Sequence, residues 1–199
     1  MIVLDSQYFP CISYCKILSE NTICEIEQEE QFRKMSFRNR CIIAGSNGLI
    51  NLTIPLEGGR NTKNSMKEVK ISYSENWALQ HWKSILSSYS KSPFFEYYQS
   101  DIELLIKKQH TFLLDKNMEI LFWIKKVFKF KIIIEKTTEY RIKYELGEND
   151  FRNKWMPNNY TNDESNSLKY AQVFEEKIGF YKNLSVLDLL FCNGGYLKI

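Results

Sequence analysis

The sequence contains little glycine, proline or histidine, and it lacks the common nucleotide-binding and hydrolase motifs. Its 199 residues include 8 Gly, 4 Pro and 2 His. No G-x-G-x-x-G, Walker P-loop, G-x-S-x-G or H-E-x-x-H pattern occurs, which argues against a glycine-rich phosphate loop, a serine-hydrolase elbow or a zincin site. Because so little Gly and Pro leaves small scope for linkers, we predict a single domain over residues 1–199.

The cysteines favour a reduced protein without a metal. Five are present, an odd number, and none forms a C-x-x-C pair: Cys11, Cys15, Cys24, Cys41 and Cys192. Since most have apolar neighbours, we expect buried free thiols rather than disulfides. Two histidines are too few to complete a zinc ligand set with these cysteines, so no metal site is expected.

Charge and hydropathy argue against nucleic acid as a partner and against a membrane-spanning segment. The net charge of +3 is weak, so nucleic acid is not an expected partner. The most apolar segment, residues 118–134, is interrupted by lysines, and no stretch has the length of a membrane span. The N-terminal apolar run stops at Asp5 without a basic region before it, so we predict no targeting segment and a cytoplasmic location.

The periodicity predicts a mixed α/β fold. The predicted strands are residues 2–5, 23–27, 131–136, a short strand at 69–71, and a hairpin of 41–44 and 49–54 around Asn47-Gly48. The predicted helices are 11–18, 75–89, 92–106, 117–128, 167–177 and 186–191, with an irregular loop at 145–167. We therefore expect a small Rossmann-like or mixed sheet, built mainly from the N-terminal third and covered by several C-terminal helices.

Polar residues follow the first predicted strand, where open α/β sheets bind ligands. Asp5, Ser6, Gln7 and Tyr8 come directly after the apolar run of residues 2–4. Gln7 is a candidate catalytic residue and Tyr8 a candidate ligand contact. An ordinary capped turn is the alternative interpretation.

A basic segment before the predicted hairpin suggests an anion site. It includes Lys34, Arg38, Asn39 and Arg40. Guanidinium groups offer a planar fork that suits phosphate or carboxylate, and these residues are the candidate contacts of a small anionic ligand. A charged strand edge is the alternative, and the acidic run of residues 25–30 could neutralise the basic segment internally.

His81 is a candidate general acid or base. Its unperturbed pKa lies near neutrality, and it lies on the predicted helix 75–89 between Gln80 and Trp82. The alternative is a histidine packed among aromatic side chains, since Trp77 and Tyr89 lie on the same predicted helix.

Five segments in order carry a family resemblance. They are D-S-Q-Y-F-P-C-I-S-Y, F-R-N-R-C-I-I-A-G-S-N-G, N-W-A-L-Q-H-W followed by S-K-S-P-F-F-E-Y-Y, T-T-E-Y-R, and K-I-G-F-Y-K-N-L-S-V-L-D-L-L-F-C-N-G-G. Together they resemble the WbqC-like protein family, in the versions typical of Bacteroidetes. The resemblance covers nearly the whole chain and implies a role in cell-surface polysaccharide or O-antigen biosynthesis.

The resemblance also bears on single residues. Arg38, Asn39 and Arg40 match the Asn/Arg motif of the family, and Asp188 matches the acid of its closing L-S-x-x-D-L-L-F motif. An aspartate on an apolar helix face needs a partner, so we expect Asp188 to be a buried structural acid paired with one of the arginines.

Two functions follow as expectations. The first is a transferase-like enzyme whose arginines hold an activated sugar or acyl donor while His81 moves a proton. The second is a non-catalytic binding or scaffold protein of the same pathway, with the aromatic-rich helices of residues 75–109 as its partner surface. The sequence identifies no cofactor.

Overall fold

A computed structural model describes residues 1–58, 64–144, 149–162, 168–195 and 197. Within them lie six strands: β1 (Ile2–Asp5), β2 (Ile23–Glu27), β3 (Arg40–Gly45), β4 (Gly48–Thr53), β5 (Ile133–Lys136) and β6 (Asn149–Asp150). The described helices are α1 (Ile12–Glu20), α2 (Trp77–Tyr89), α3 (Phe95–Lys107), α4 (Leu113–Val127), α5 (Glu175–Ile178) and α6 (Val186–Asn193). The predicted class, a mixed α/β fold with mostly C-terminal helices, is confirmed.

Four strands form a parallel sheet in the order β5-β2-β1-β6. The central strand β1 is buried along its whole length, which is why its apolar residues do not alternate with polar ones. The chain adds β2 and then β5 on one side of β1 and returns to place β6 on the other side. This is the relative order of the first four strands of a Rossmann sheet, and the order reverses between β1 and β6.

The hairpin of β3 and β4 is an antiparallel pair separate from the parallel sheet. The predicted turn over residues 45–48 is present, with Gly45 paired to Gly48 and Ser46-Asn47 forming the connection. Gly48 takes a φ of 121°, a conformation that favours glycine. The backbone N–H of Ser185 donates to the Ile42 carbonyl at 2.9 Å, which ties the start of α6 to the hairpin.

Four predicted elements differ from the structure. The predicted loop of residues 145–167 contains β6, which is only two residues long and depends on pairing with β1 rather than on local periodicity. In the predicted strand 69–71, Lys70 and Ile71 form only isolated bridges. Helix α4 begins at Leu113, four residues before the predicted start at 117.

The predicted helix 167–177 is also wrong over most of its length, and its first residue lies outside the described ones. Only Glu175–Ile178 are helical. The reason is a tertiary contact of Gln172, whose side chain donates to the Tyr181 carbonyl and accepts from the Tyr181 N–H, both at 2.9 Å. These bonds tie Gln172 to Tyr181, and residues 168–172 have no helical structure.

In the described part of the chain, no helix combines the length and apolar character needed to cross a membrane. The same residues contain no group of three or more His, Cys, Asp or Glu side chains arranged to hold a metal ion. None of the five cysteines, all of which lie in the described ranges, forms a disulfide.

Candidate functional site

Asp5 is the centre of a buried polar cluster at the carboxyl edge of the parallel sheet. Its Oδ1 accepts the backbone N–H of Asn153 at 3.0 Å, and its Oδ2 accepts from Gln7 Nε2 at 3.3 Å. The Nη1 of Arg38 lies 3.5 Å from the same Oδ2. Because Asp5 ends β1 and Asn153 follows β6, the cluster lies where the strand order reverses.

Arg38 is fully buried between two carboxylates. Its Nε donates to Glu30 Oε1 at 2.9 Å, its Nη2 contacts the same oxygen, and Asp5 lies on its other side. Burial raises the pKa of Glu30, and the Arg38 charge opposes that rise. Asn117 completes the arrangement by donating Nδ2 to the Arg38 carbonyl at 2.8 Å. The predicted internal neutralisation of the basic segment is therefore present at Glu30.

We name six residues the edge cluster: Asp5, Gln7, Glu30, Arg38, Asn117 and Asn153. Four of its polar atoms are buried without a hydrogen-bond partner in the described protein: Gln7 Oε1, Arg38 Nη1, Asn117 Oδ1 and Asn153 Oδ1. Buried polar atoms are normally hydrogen-bonded, so such a concentration at one sheet edge marks a place for water or ligand atoms.

A groove of about 610 Å³ adjoins the edge cluster. We name it the edge groove; its lining consists of Glu29, Glu30, Gln31, Phe32, Arg33, Tyr140 and Asn153. Glu30 and Asn153 belong to both the groove lining and the edge cluster, whereas Gln7, Arg38 and Asn117 do not line the groove. On one side of the groove the Tyr140 ring faces the guanidinium of Arg152. The Arg152 Cζ lies 5.3 Å from the centroid of that ring.

Arg152 is itself fixed by carboxylates of the sheet edge. Its Nη2 donates to Asp150 at 2.7 Å and its Nη1 to the buried Glu27 at 3.1 Å. The hydrogen bonds to Asp150 raise the pKa of Arg152, and its charge persists at any physiological pH. A cation so held orients the Tyr140 ring through a cation–π contact.

A second groove, of about 530 Å³, holds the remaining predicted cations. We name it the anion groove; it is lined by Phe32, Lys34, Met35, Asn39, Arg40, Thr53, Ile54, Pro55 and Leu56. Arg40 is half-buried, its Nε is buried without a hydrogen-bond partner, and burial lowers its pKa. No ion pair to Lys34 or Arg40 is found among the described residues, and no carboxylate lines this groove.

Asn39 lies in the anion groove, but its side-chain NH2 group is bonded within the protein. Its Nδ2 donates to the Ile54 backbone carbonyl at 2.8 Å, and the Asn39 backbone carbonyl accepts the Ile54 N–H at 2.8 Å. These bonds extend the pairing of the hairpin by one residue and fix the groove wall, which leaves Lys34 and Arg40 as the groups that face a ligand.

His81 and Tyr8 contact each other behind the anion groove. The His81 Nε2 lies 3.2 Å from the Thr53 carbonyl, and its Nδ1 lies 3.1 Å from the Tyr8 hydroxyl. Because a carbonyl only accepts, Nε2 carries the proton and Nδ1 accepts from Tyr8. Burial lowers the pKa of His81 to about 4, so the ring is neutral at pH 7. Both nitrogens are engaged, and neither residue lines either groove.

The predicted site residues thus separate into three groups. Gln7 and Arg38 lie in the edge cluster, and Tyr8 and His81 form a buried pair. Lys34, Asn39 and Arg40 line the anion groove. Sequence reasoning missed Asn117 and Asn153; the latter takes a φ of 59°, which asparagine tolerates, but nothing in its local sequence indicates a contact with Asp5.

Asp188 is fully buried on α6, as predicted. The prediction that it pairs with an arginine is wrong. Its carboxylate accepts from Tyr89 Oη at 2.7 Å, Tyr170 Oη at 2.5 Å and Gln172 Nε2 at 3.0 Å. Burial raises the pKa of Asp188, and these bonds oppose the rise. Three neutral donors therefore take the place of a cation, since Arg38 is occupied by Asp5 and Glu30.

The fold and the edge cluster define a mixed α/β protein with a polar site at the carboxyl edge of a Rossmann-ordered sheet. Residues 5–148 match the WbqC-like protein family, and the chain belongs to this family. It is 27% identical over 120 residues to "Uncharacterized protein Rv1507c" of Mycobacterium tuberculosis, a match that covers 60% of this chain and 52% of that protein. The match thus spans about half the length of that relative. No solved structure matches the chain.

Proposed function

We propose that the protein is a transferase-like enzyme of cell-surface polysaccharide assembly that binds an anionic activated donor in the anion groove. The observation that carries the proposal is Arg40, whose half-buried guanidinium has a buried Nε without a hydrogen-bond partner. Lys34 lines the same groove, and no carboxylate there competes with an incoming anion. A phosphate or carboxylate group would satisfy the Arg40 fork and offset the cost of its partial burial.

The rest of the groove lining indicates what the anion is attached to. Five of its residues are apolar: Phe32, Met35, Ile54, Pro55 and Leu56. A site with two cations at one place and apolar walls around them suits a ligand that joins an anionic group to a less polar portion. Activated acyl donors and nucleotide-activated sugars both have this construction.

The pathway is the part of the proposal that rests on family membership. The WbqC-like family takes its name from the product of an O-antigen gene cluster, and the sequence resembles its Bacteroidetes versions. We assign no proton-transfer step to His81, because both ring nitrogens are engaged within the protein.

Titration of the purified protein with pyrophosphate, nucleotide sugars and acyl-coenzyme A tests the proposal. We expect Arg40→Gln and Lys34→Gln each to weaken binding of the preferred donor at least about tenfold, because each removes a cation that would face its anionic group. Lys91→Gln, which removes an exposed cation outside the groove, is the matched control and should bind as the wild type does. Equal affinity in all four proteins, or no binding of any probe, would overturn the proposal.

One observation supports the alternative of a scaffold protein. Tyr97 and Leu104 are 80% and 66% exposed and lie seven residues apart on α3, hence on one face of the helix. A Tyr97→Ser/Leu104→Ser variant that loses captured glycan-assembly enzymes, together with an Arg40→Gln variant that retains them, would favour this second function.

A further inference from the structure

The backbone along one side of the anion groove is already hydrogen-bonded within the protein. Three successive lining residues each have a carbonyl that accepts such a bond: Thr53, Ile54 and Pro55. Their donors, in that order, are His81 Nε2 at 3.2 Å, Asn39 Nδ2 at 2.8 Å and the Ser72 N–H at 2.9 Å. The Ile54 N–H donates to Asn39, and proline has no N–H to offer. This side of the groove therefore presents mainly apolar side chains to a ligand.

The polar side chains of the groove are few. Four lining residues are polar: Lys34, Asn39, Arg40 and Thr53. The proposed function assigns the two cations to the anionic group, and the Asn39 NH2 group is bonded to Ile54. Little hydrogen-bonding capacity remains for the rest of the ligand. A sugar ring has several hydroxyls, each of which needs a partner when it leaves water, and this lining supplies too few.

Met35 lines the groove with an exposed apolar side chain on an unfavourable backbone conformation. Its φ is 53°, which residues other than glycine adopt infrequently, and the residue is 65% exposed. Backbone strain of this kind is concentrated at sites that contact ligands. Methionine is flexible and adapts its shape to irregular apolar surfaces. An alkyl chain lying in the groove would cover the Met35 side chain and remove it from water.

We infer that the donor of the anion groove is an acyl donor, such as an acyl phosphate, rather than an activated sugar. The inference rests on the proposed function, because Lys34 and Arg40 hold the anionic group. The acyl chain then lies along Met35, Ile54 and Leu56. A groove of about 530 Å³ suits a short chain.

A series of stable phosphate esters tests the inference by isothermal titration calorimetry. The probes are inorganic phosphate, the ethyl, butyl, hexyl, octyl and dodecyl monoesters, and glucose 1-phosphate. We expect affinity to rise about two- to fourfold with each added methylene up to the hexyl or octyl ester, as burial of apolar surface implies. Hexyl phosphate should bind at least about tenfold more tightly than glucose 1-phosphate, which has the same anion on a hydroxylated ring. A gain that continued to dodecyl phosphate would indicate a lipid phosphate and overturn the acyl assignment.

Two variants separate the chain from the anion. Met35→Gly removes an exposed side chain and keeps a backbone conformation that glycine favours, so the fold should persist. It should reduce the gain per methylene and leave the affinity for inorganic phosphate unchanged. Arg40→Gln should weaken every probe by a similar factor and leave the gain per methylene unchanged. Lys129→Gly is the control for Met35→Gly, because Lys129 has a φ of 56°, is exposed and lies outside the groove lining.

The outcomes distinguish failure of the inference from failure of the proposed function. If no phosphate bound, or if Arg40→Gln changed no affinity, the groove would not be an anion site and both would fail. If Arg40→Gln weakened every probe while glucose 1-phosphate bound as tightly as hexyl phosphate, the acyl assignment alone would be overturned. An unchanged gain per methylene in Met35→Gly would overturn the placement of the chain along this residue.

Discussion

Asn153 donates its backbone N–H to the Oδ1 of Asp5 at 3.0 Å, joining the segment after β6 to the end of β1. The other oxygen of the same carboxylate faces Gln7 and Arg38. Asp5 thus connects the ends of two neighbouring strands, β1 and β6, with the basic segment before the hairpin. One buried carboxylate therefore holds together three segments of the chain at the carboxyl edge of the sheet.

Arg38→Met should destabilise the fold strongly rather than act on a ligand alone. The substitution leaves Asp5 and Glu30 as buried carboxylates without their cation, which costs about 3–5 kcal/mol of unfolding free energy in buried ion pairs. Urea denaturation followed by circular dichroism measures this loss. Lys107→Met, which breaks the exposed pair with Glu103, is the control and should change stability by less than about 1 kcal/mol. If both substitutions lowered the free energy of unfolding by similar amounts, the buried ion pairs of Arg38 would not stabilise the fold more than an exposed pair does.

Much of the fold could be predicted because local patterns and tertiary contacts agree there. Neighbouring residues predict three of these features: the buried run of β1, the strand β2 and the start of α2 after Asn76. β6 is not, because its two residues form a strand only through pairing with β1. The segment before α5 has helical periodicity, but the two bonds of Gln172 to Tyr181 override it.

The candidate site was predictable in position but not in its pairings. The polar residues after β1 do lie at the carboxyl edge, as the location of ligands in open α/β sheets suggests. Which cation stays unpaired depends on the path of the chain. Glu30 folds back onto Arg38, while Arg40, two residues further, enters the hairpin and lies in the anion groove. Composition and spacing do not distinguish these two arginines.

His81 should make the fold less stable as the pH falls below neutrality. Its pKa drops from about 6.5 in the unfolded chain to about 4 in the fold, so the unfolded chain binds the proton first. The stability that this group contributes is complete above pH 6.5 and is lost as the pH falls towards 4, by about 2 kcal/mol at pH 5.

A comparison with His81→Gln isolates this contribution, since every other titrating group remains in both proteins. Urea unfolding at pH 7.5 and at pH 5 should show the wild type losing more stability than the variant between the two. An equal loss would mean that the imidazole is not held neutral by burial.

Asp188→Ala should be more harmful than Asp188→Asn. Alanine leaves the hydroxyls of Tyr89 and Tyr170 and the amide of Gln172 without their shared acceptor, and unpaired buried donors cost about 1–3 kcal/mol each. Asparagine retains one acceptor oxygen and recovers part of the loss. Thermal unfolding ranks the two variants, and the reverse order would contradict a role of Asp188 as an acceptor for neutral donors.

Phe32→Ala is expected to weaken donor binding in the anion groove. Phe32 lines this groove, and its half-buried ring is part of the apolar wall. Its removal takes away apolar contact area, and we expect roughly three- to tenfold weaker binding of the preferred donor. Titration of the variant with that donor measures the effect. Phe122→Ala removes an exposed ring on α4 outside the groove lining and should leave the affinity unchanged. Wild-type affinity of the Phe32→Ala protein would show that this ring does not contact the donor.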